Sequence, residues 1–110
     1  MKKQMRVMLI DDHALFRIGL QELLERRGIE VIAVGNCLEG IELVADEQPD
    51  VVLLDMNFVT GETSGNEGIF WLNEIRKKDP SLPVILITAY ADIELAVKAV
   101  REGATDFIAK

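Results

Sequence analysis

Cysteine, histidine and proline are scarce in this sequence: one Cys, one His and three Pro occur among 110 residues. The lone Cys37 cannot form an intramolecular disulfide, so a reducing cytoplasm is the expected location. No apolar run reaches the roughly 20 residues that a membrane span needs. Asp11 and Asp12 interrupt the first apolar stretch too early for an export signal. No Gly-x-Gly-x-x-Gly or Walker loop suggests a nucleotide. We therefore expect a cytoplasmic protein without a membrane segment.

Basic residues are outnumbered: 12 Lys and Arg face 19 Asp and Glu, for a formal net charge of -7. Such a chain repels phosphate backbones and anionic lipids, so we expect neither direct nucleic-acid binding nor membrane association. The short basic clusters at 26–27 and 76–78 each fall in the last turn of a predicted helix, where cations complement the helix dipole. With 49% hydrophobic residues the chain can bury one core, and we predict one domain over residues 1–110.

Five short apolar runs predict the strands of a sheet. They occupy residues 7–10, 29–34, 51–54, 84–87 and 107–109. Most lack polar alternation, which is typical of strands buried on both faces of a parallel sheet, whereas the second run carries Glu30 and is predicted to be an edge. Between the runs the apolar period becomes helical, at Phe16, Leu20, Leu23 and Leu24 and again at Ile93, Ala96, Val97 and Val100. The alternating order predicts a doubly wound α/β fold.

Local signals mark several helix ends. Residues 36–39 and 64–67 each have the pattern of a capping box, which predicts helix starts there. Gly28 and Gly103 stand where a left-handed residue would end a helix. These signals support the division into strands and helices.

Polar side chains follow four of the predicted strands, at the edge where an open parallel sheet binds ligands. They are Asp11 and Asp12, Asp55, Thr88, and Lys110. Crowded carboxylates repel one another unless a cation neutralises them, and oxygen ligands without His or Cys favour a hard ion such as Mg²⁺. A carboxylate can also attack phosphorus, with a metal and a lysine neutralising the phosphoryl oxygens. The edge therefore predicts metal-assisted phosphoryl transfer.

Together these residues resemble the response-regulator receiver domain of two-component signalling, and the likeness covers the whole chain. It rests on Asp11-Asp12 after the first strand, Asp55 after the third, Thr88-Ala89 after the fourth and Lys110 after the fifth. The resemblance implies a flavodoxin-like sheet with strand order 2-1-3-4-5. It implies that Asp55 accepts a phosphoryl group from a histidine kinase.

The resemblance also implies a metal site and a switch. Asp12, Asp55 and the backbone carbonyl of Asn57 would hold Mg²⁺, with Asp11 assisting. The switch residues implied are Lys110, which would grip the phosphoryl group, Thr88, which would move toward it, and the aromatic Phe107, which would rearrange. Phe107 stands where many relatives have Tyr, so no phenolic hydroxyl takes part. The loop after Asp55 also departs from the usual Asp-x-x-Met-Pro.

The resemblance also raises expectations about the fifth helix and about the two halves of the chain. The family pattern has a fifth helix after Lys110 that this chain does not contain. We expect the bare face of the sheet to be covered by self-association, as a homodimer or by exchange of elements between chains. The first half is similar to receivers joined to helix-turn-helix outputs, and the stretch from Asp55 onward to receivers joined to AAA+ activators. A natural mosaic and an engineered chimera are both open.

Two other functions compete with this interpretation. Phosphohydrolases with an Asp nucleophile use similar residues, but they place the nucleophile after the first strand in an Asp-x-Asp pattern that Asp11-Asp12-His13 does not supply. A binding module that signals without phosphate is disfavoured, because every acceptor-site residue is present. His13 is expected to be a solvated start of the first helix, and Phe70 and Trp71 are expected to pack in the third helix.

Overall fold

A five-stranded parallel sheet forms the centre of the fold in the computed structural model, which describes residues 4–55, 66–88, 97–98 and 100–109. Its strand order is β2-β1-β3-β4-β5, so the predicted topology is confirmed and β2 is an edge strand as expected. The strands are β1 (Arg6–Ile10), β2 (Glu30–Val34), β3 (Val51–Asp55), β4 (Val84–Thr88) and β5 (Asp106–Ala109). Each begins and ends within one residue of its predicted apolar run.

Three helices connect these strands, and residues 97–98 and 100–101 are also helical. They are α1 (Ala14–Arg26), α2 (Cys37–Glu47) and α3 (Asn66–Lys78). Asn36 caps α2, because its Oδ1 accepts from the Glu39 amide at 2.8 Å. The carboxylate of Glu39 faces the Asn36 side-chain amide at 3.5 Å rather than the backbone N–H of a full capping box. Part of the capping pattern predicted at 64–67 lies outside the described residues.

The helix ends follow their sequence signals. Gly28 and Gly103 have positive φ of 81° and 127°, as predicted for left-handed residues after a helix. Both basic clusters do lie at helix C-termini, Arg26 in the last turn of α1 and residues 76–78 in that of α3. Over the described ranges, no helix is long and apolar enough to cross a membrane.

One face of the sheet carries the main core, because alternate strand residues project toward α2 and α3. The buried members from the three central strands are Met8, Ile10, Val52, Leu54, Val84 and Leu86. They pack with Ile41 and Val44 of α2 and with Leu72 and Ile75 of α3. Cys37, at the start of α2, is buried in the same cluster. Helices α2 and α3 therefore cover the central strands on this face of the sheet.

The opposite face is only partly covered. Helix α1 packs against β1 and β2, and Val7 and Leu9 on this face are buried. Leu53 and Ile85, farther across the sheet, are half-buried, and Ile108 of β5 is 54% exposed. The cover on this face is therefore uneven, because Ile87 of β4 is buried while Ile108 beside it in β5 is exposed.

Helix α1 is apolar on two sides, which corrects the predicted stripe. Phe16, Leu20 and Leu24 are half-buried toward the sheet, but Leu23, predicted with them, is exposed. Leu15 and Ile18, on another side of the helix, are also large, apolar and exposed. They form the outer stripe of α1, and Leu15 is 77% exposed. Sequence period alone therefore overestimated the burial of Leu23, which lies at the margin of the predicted stripe.

Within the described residues, the apolar stripe predicted before β5 is also not buried. Val97 and Val100 are exposed. Ile93 and Ala96 lie outside the described residues.

Candidate functional site

Asp11 and Asp55 lie side by side at the carboxyl edge of the sheet. Ile10 of β1 is in register with Leu54 of β3, so the residues that follow, Asp11 and Asp55, occupy the next row. Adjacent strands lie about 4.8 Å apart. Both side chains are essentially without solvent contact, at 0% and 1% exposure, and they are the buried charged residues of the described part. Two buried carboxylates at a ligand-binding edge require compensation by hydrogen bonds or a cation.

The backbone around Asp11 and Asp12 is held by neighbouring groups. The Asp11 amide donates to the Val34 carbonyl of β2 at 3.1 Å. The His13 amide donates to Oδ1 of Asp11 at 2.8 Å, which closes a short Asx turn. The Arg17 guanidinium donates through Nη1 to the Asp11 carbonyl at 2.6 Å. Asp12, between these contacts, is exposed at the edge.

His13 is the N-cap of α1. It is exposed, and its Nδ1 accepts from the Phe16 amide at 3.4 Å. The expectation of a solvated helix start is confirmed. Because the cap is His13, neither Asp11 nor Asp12 is used as the helix cap.

The expected Mg²⁺ ligands are only partly within the described chain. Asp11 and Asp55 are brought together, Asp12 is nearby in sequence and exposed, and Asn57 lies outside the described residues. Within the described ranges, no three His, Cys, Asp or Glu side chains converge as a metal site. Mg²⁺ is commonly held by one or two carboxylates with water and phosphate oxygens completing its shell. The carboxylates present therefore fit this ion, and the four-residue ligand set stays a prediction.

The predicted switch residues are described unevenly. Thr88 ends β4 and pairs with Ala109, one row beyond the pairing of Asp55 with Ile87. Its side chain, and Lys110, lie outside the described residues. Phe107 is half-buried and packs against the main core. Their roles remain predictions.

The aromatic pair of α3 packs as expected. Trp71 is half-buried against the main core, and Phe70 meets it edge to face with ring centroids 5.0 Å apart at 80°. Phe70 is itself 52% exposed. Trp71 therefore belongs to the packing of α3 on the sheet, and Phe70 packs on Trp71 from the exposed side.

Arg17 and Gly35 are parts of this edge that sequence reasoning missed. The Arg17 guanidinium reaches the Asp11 carbonyl, and a Cβ added to Gly35 would meet Arg17 Nη1 at 3.3 Å. The available signals were a long cationic side chain in the first turn after the acidic pair and a glycine directly after β2. Neither residue type carries phosphoryl chemistry alone, so a search for reactive residues passes over them.

A comparison with protein families identifies one model: the response regulator receiver domain, which matches residues 7–110. The chain is 37% identical over 105 residues to the regulatory protein AtoC of Escherichia coli (strain K12), covering 96% of this chain and 22% of that protein. It is 30% identical to sporulation initiation phosphotransferase F of Bacillus subtilis (strain 168), covering 96% of this chain and 81% of that protein. The chain thus spans about a fifth of AtoC and most of the second relative.

Solved structures share the fold. The N-terminal signal receiver domain of a two-component response regulator from Bacteroides fragilis superposes with a TM-score of 0.85 at 41% identity, covering 98% of this chain and 85% of that chain. A response regulator protein from Burkholderia pseudomallei, solved with a phosphorylated aspartic acid, calcium ion and citrate, gives a TM-score of 0.80 at 30% identity. It covers 97% of this chain and 60% of that chain.

Proposed function

Because the chain belongs to the response regulator receiver domain family, we propose that it is a signalling switch in which Asp55 accepts a phosphoryl group from a histidine kinase. The observation that carries the proposal is the row formed by Asp55 and Asp11, two buried carboxylates at the carboxyl ends of neighbouring parallel strands. Receiver domains are phosphoacceptor modules rather than conventional enzymes, so the reaction modifies the chain itself. The related Burkholderia pseudomallei structure contains a phosphorylated aspartic acid, which supports the same chemistry here.

The reaction is a displacement at phosphorus. A carboxylate oxygen of Asp55 forms a bond to the phosphorus of the donor, and the bond between phosphorus and the donor's leaving atom breaks. For a phosphohistidine donor the leaving atom is an imidazole nitrogen, which keeps the electron pair and takes a proton. The product is an acyl phosphate on Asp55, and hydrolysis restores the carboxylate. No oxidant or reductant is needed.

Mg²⁺ belongs to this proposal as the ion that offsets the added phosphate charge. Asp12, Asp55 and the backbone carbonyl of Asn57 would hold it, with Asp11 assisting, and the ion would neutralise phosphoryl oxygens during transfer. The related structure contains a calcium ion as well as a phosphorylated aspartic acid, which supports a role for a divalent cation in this proposal. Asp11 cannot move freely toward the ion, because its Oδ1 accepts from the His13 amide. Asp12, exposed at the edge, is better able to contact it.

The response to phosphorylation is proposed to run through Lys110, Thr88 and Phe107. Lys110 follows the last residue of β5 and would pair with the phosphoryl group, which couples the modification to that strand. Phe107 packs against the main core, so a shift of β5 would change its packing. In Lys110→Ala we expect phosphorylation with weak chemical-shift changes along β5. Changes equal to those of the unsubstituted chain would contradict this role.

Location and partners complete the proposal. The chain would act in the cytoplasm, consistent with its single cysteine, and would not bind nucleic acid directly, given its net charge of -7. Its partner would be the kinase. Self-association, as a homodimer or by exchange of elements, is proposed to cover the partly exposed face of the sheet together with the outer stripe of α1, whose large apolar side chains face solvent.

Phosphorylation is tested by intact mass after incubation with Mg²⁺ and a small phosphodonor. We expect one added phosphoryl group on the unsubstituted chain and none on Asp55→Asn. Asp46→Asn is the matched control, because Asp46 is an exposed carboxylate of α2, away from the strand ends. Uptake that persists unchanged in Asp55→Asn would refute the assignment. Steady turnover of a phosphate ester would instead favour a phosphohydrolase.

The metal site is tested by Mg²⁺ titration, followed by Trp71 fluorescence or by NMR. Asp12→Ala removes a proposed ligand and part of the negative charge that attracts the ion, so its affinity should fall. Asp46→Ala removes the same charge from an exposed position and should leave the affinity nearly unchanged. The same dissociation constant in Asp12→Ala and the unsubstituted chain would place the metal elsewhere.

A further inference from the structure

Arg17 of α1 donates a hydrogen bond to the loop that carries the acidic pair and lies beside the first residue after β2. Its Nη1 donates to the Asp11 carbonyl at 2.6 Å. The same nitrogen would lie 3.3 Å from a Cβ added at Gly35, and Cζ would lie 3.9 Å from it. The guanidinium therefore occupies space between the β1–α1 loop and the first residue after β2. We propose that Arg17 is a positioning residue that sets the direction of Asp12.

The planarity of peptide groups gives Arg17 this influence on Asp12. The Asp11 carbonyl and the Asp12 amide belong to one rigid plane, so a bond that holds the carbonyl oxygen orients the whole plane. The next plane contains the His13 amide, which donates to Oδ1 of Asp11 at 2.8 Å. These two planes flank the Cα of Asp12. Holding both restricts φ and ψ of Asp12, and with them the direction in which its carboxylate leaves the backbone.

Arg17 is well placed for this role because its own backbone is anchored to the same loop. Its amide donates to the His13 carbonyl at 3.0 Å, in the first turn of α1. The planar guanidinium presents several donors in fixed directions, which suits a carbonyl held at one angle. A lysine could donate to the same oxygen but would orient it less strictly. Gly35 contributes by leaving space for the guanidinium.

Removal of Arg17 eliminates both a positive charge and a positioning contact, and these two losses should change Mg²⁺ affinity in opposite directions. A cation beside the acidic edge repels Mg²⁺, so loss of the charge alone would tighten Mg²⁺ binding. Loss of positioning would weaken it, because groups that orient metal ligands typically change affinity by about 10- to 100-fold when removed. The direction of the change therefore distinguishes the two effects. This inference rests on the proposed function only in taking Asp12 as a Mg²⁺ ligand.

The test compares Arg17→Met, Arg17→Lys and Gly35→Ala with Arg26→Met. Arg26 is an exposed cation in the last turn of α1, so its substitution changes the net charge equally without touching the loop. We expect about tenfold weaker Mg²⁺ binding in Arg17→Met, partial recovery in Arg17→Lys and unchanged binding in Arg26→Met. Gly35→Ala should weaken binding less than Arg17→Met, because the added Cβ would lie 3.3 Å from Nη1 and would shift the end of the guanidinium by only a few tenths of an ångström.

Hydrogen exchange of the His13 amide in the metal-free chain provides a readout that does not depend on Mg²⁺. Arg17→Met should speed this exchange, because the loop loses one anchor, while Arg26→Met should not. Unchanged exchange, or Mg²⁺ binding as tight as in the unsubstituted chain, would overturn the positioning role. If the unsubstituted chain bound no Mg²⁺, the proposed metal site would fail and the exchange result would still decide the role of Arg17. Should Arg17→Met fail to fold, Arg17→Lys and Gly35→Ala decide it.

Discussion

Replacement of Gly40 by alanine should destabilise this domain relative to a matched glycine substitution, although alanine is the better helix former. Gly40 is buried within α2, where the helix approaches the sheet closely. An added Cβ would lie 2.6 Å from Cδ1 and 3.0 Å from Cγ1 of Ile10, and 3.4 Å from Cγ2 of Val34. Ile10 is fully buried, so a shift of its side chain would disturb neighbouring core residues. Either Ile10 changes rotamer or α2 moves outward.

The magnitude follows from two opposing effects. Overpacking a filled core costs about 1–3 kcal/mol. Alanine in place of glycine inside a helix returns about 0.8–1.0 kcal/mol. The net change for Gly40→Ala should therefore be a loss of about 0–2 kcal/mol. Gly19 of α1 is the control, because a Cβ there meets nothing within 4 Å, and Gly19→Ala should gain about 0.5–1 kcal/mol.

Urea unfolding followed by Trp71 fluorescence and by circular dichroism measures both variants. The helix-propensity gain is shared, so the gap between them isolates the overpacking cost of about 1–3 kcal/mol. We expect a higher midpoint for Gly19→Ala than for Gly40→Ala, with equal slopes against urea. A midpoint for Gly40→Ala as high as that for Gly19→Ala would refute the close packing of α2 on β1.

Three further predictions concern charge and the exposed helix surface. Arg6, whose pKa is raised by hydrogen bonds to acidic side chains of β2 and α2, should stabilise the amino edge of the sheet. Arg6→Met should lower the thermal midpoint at low salt, and the difference should shrink at high salt; an effect insensitive to salt would contradict the electrostatic cause. The pKa of Asp79 is lowered because its Oδ1 accepts from the hydroxyl and the amide of Ser81. A carboxyl group whose pKa is depressed in the folded state stabilises the fold above its unfolded pKa, and this stabilisation is lost as the pH falls through the folded value. Asp79→Ala should therefore destabilise the fold at neutral pH and match the stability of the unsubstituted chain in acid. Leu15→Glu should abolish concentration-dependent association in sedimentation at micromolar concentration, and a stable, well-folded monomer of the unsubstituted chain would show that the outer stripe of α1 needs no partner.

The architecture could be predicted because its signals are local or periodic. Runs without polar alternation identified strands buried on both faces, and Glu30 identified the edge strand. The side chain of Asn36 caps α2 as its position suggested, because an N-cap depends on a few consecutive residues. The row of Asp11 and Asp55 followed from the parallel topology. Each of these features needs only the chain order and one period.

Features that depend on a side-chain rotamer or on the position of a helix on the sheet could not be predicted in this way. Leu23 has the spacing of the predicted stripe and is nevertheless 50% exposed, because the position of the helix on the sheet decides how far a residue at the margin of the stripe is buried. The bond from Arg17 to Asp11 depends on a rotamer and on the space at Gly35. Hydrophobic period and reactive residue types contain no information on either. Sequence reasoning therefore located the acidic edge but not what orients it.

The segment from β2 into α2 helps to orient the acidic edge at Asp11 and Asp12, although it contains none of the predicted site residues. The Val34 carbonyl accepts from the Asp11 amide, Gly35 leaves space for Arg17, and Gly40 allows α2 to approach Ile10. This one segment thus constrains Ile10 through α2 and the Asp11 amide through Val34. It also leaves the space from which Arg17 holds the Asp11 carbonyl. A carboxylate that must meet a cation benefits from such support, because misplacement by about 1 Å can cost about 100-fold in rate. Small substitutions between β2 and α2 should therefore alter phosphorylation without touching a reactive atom.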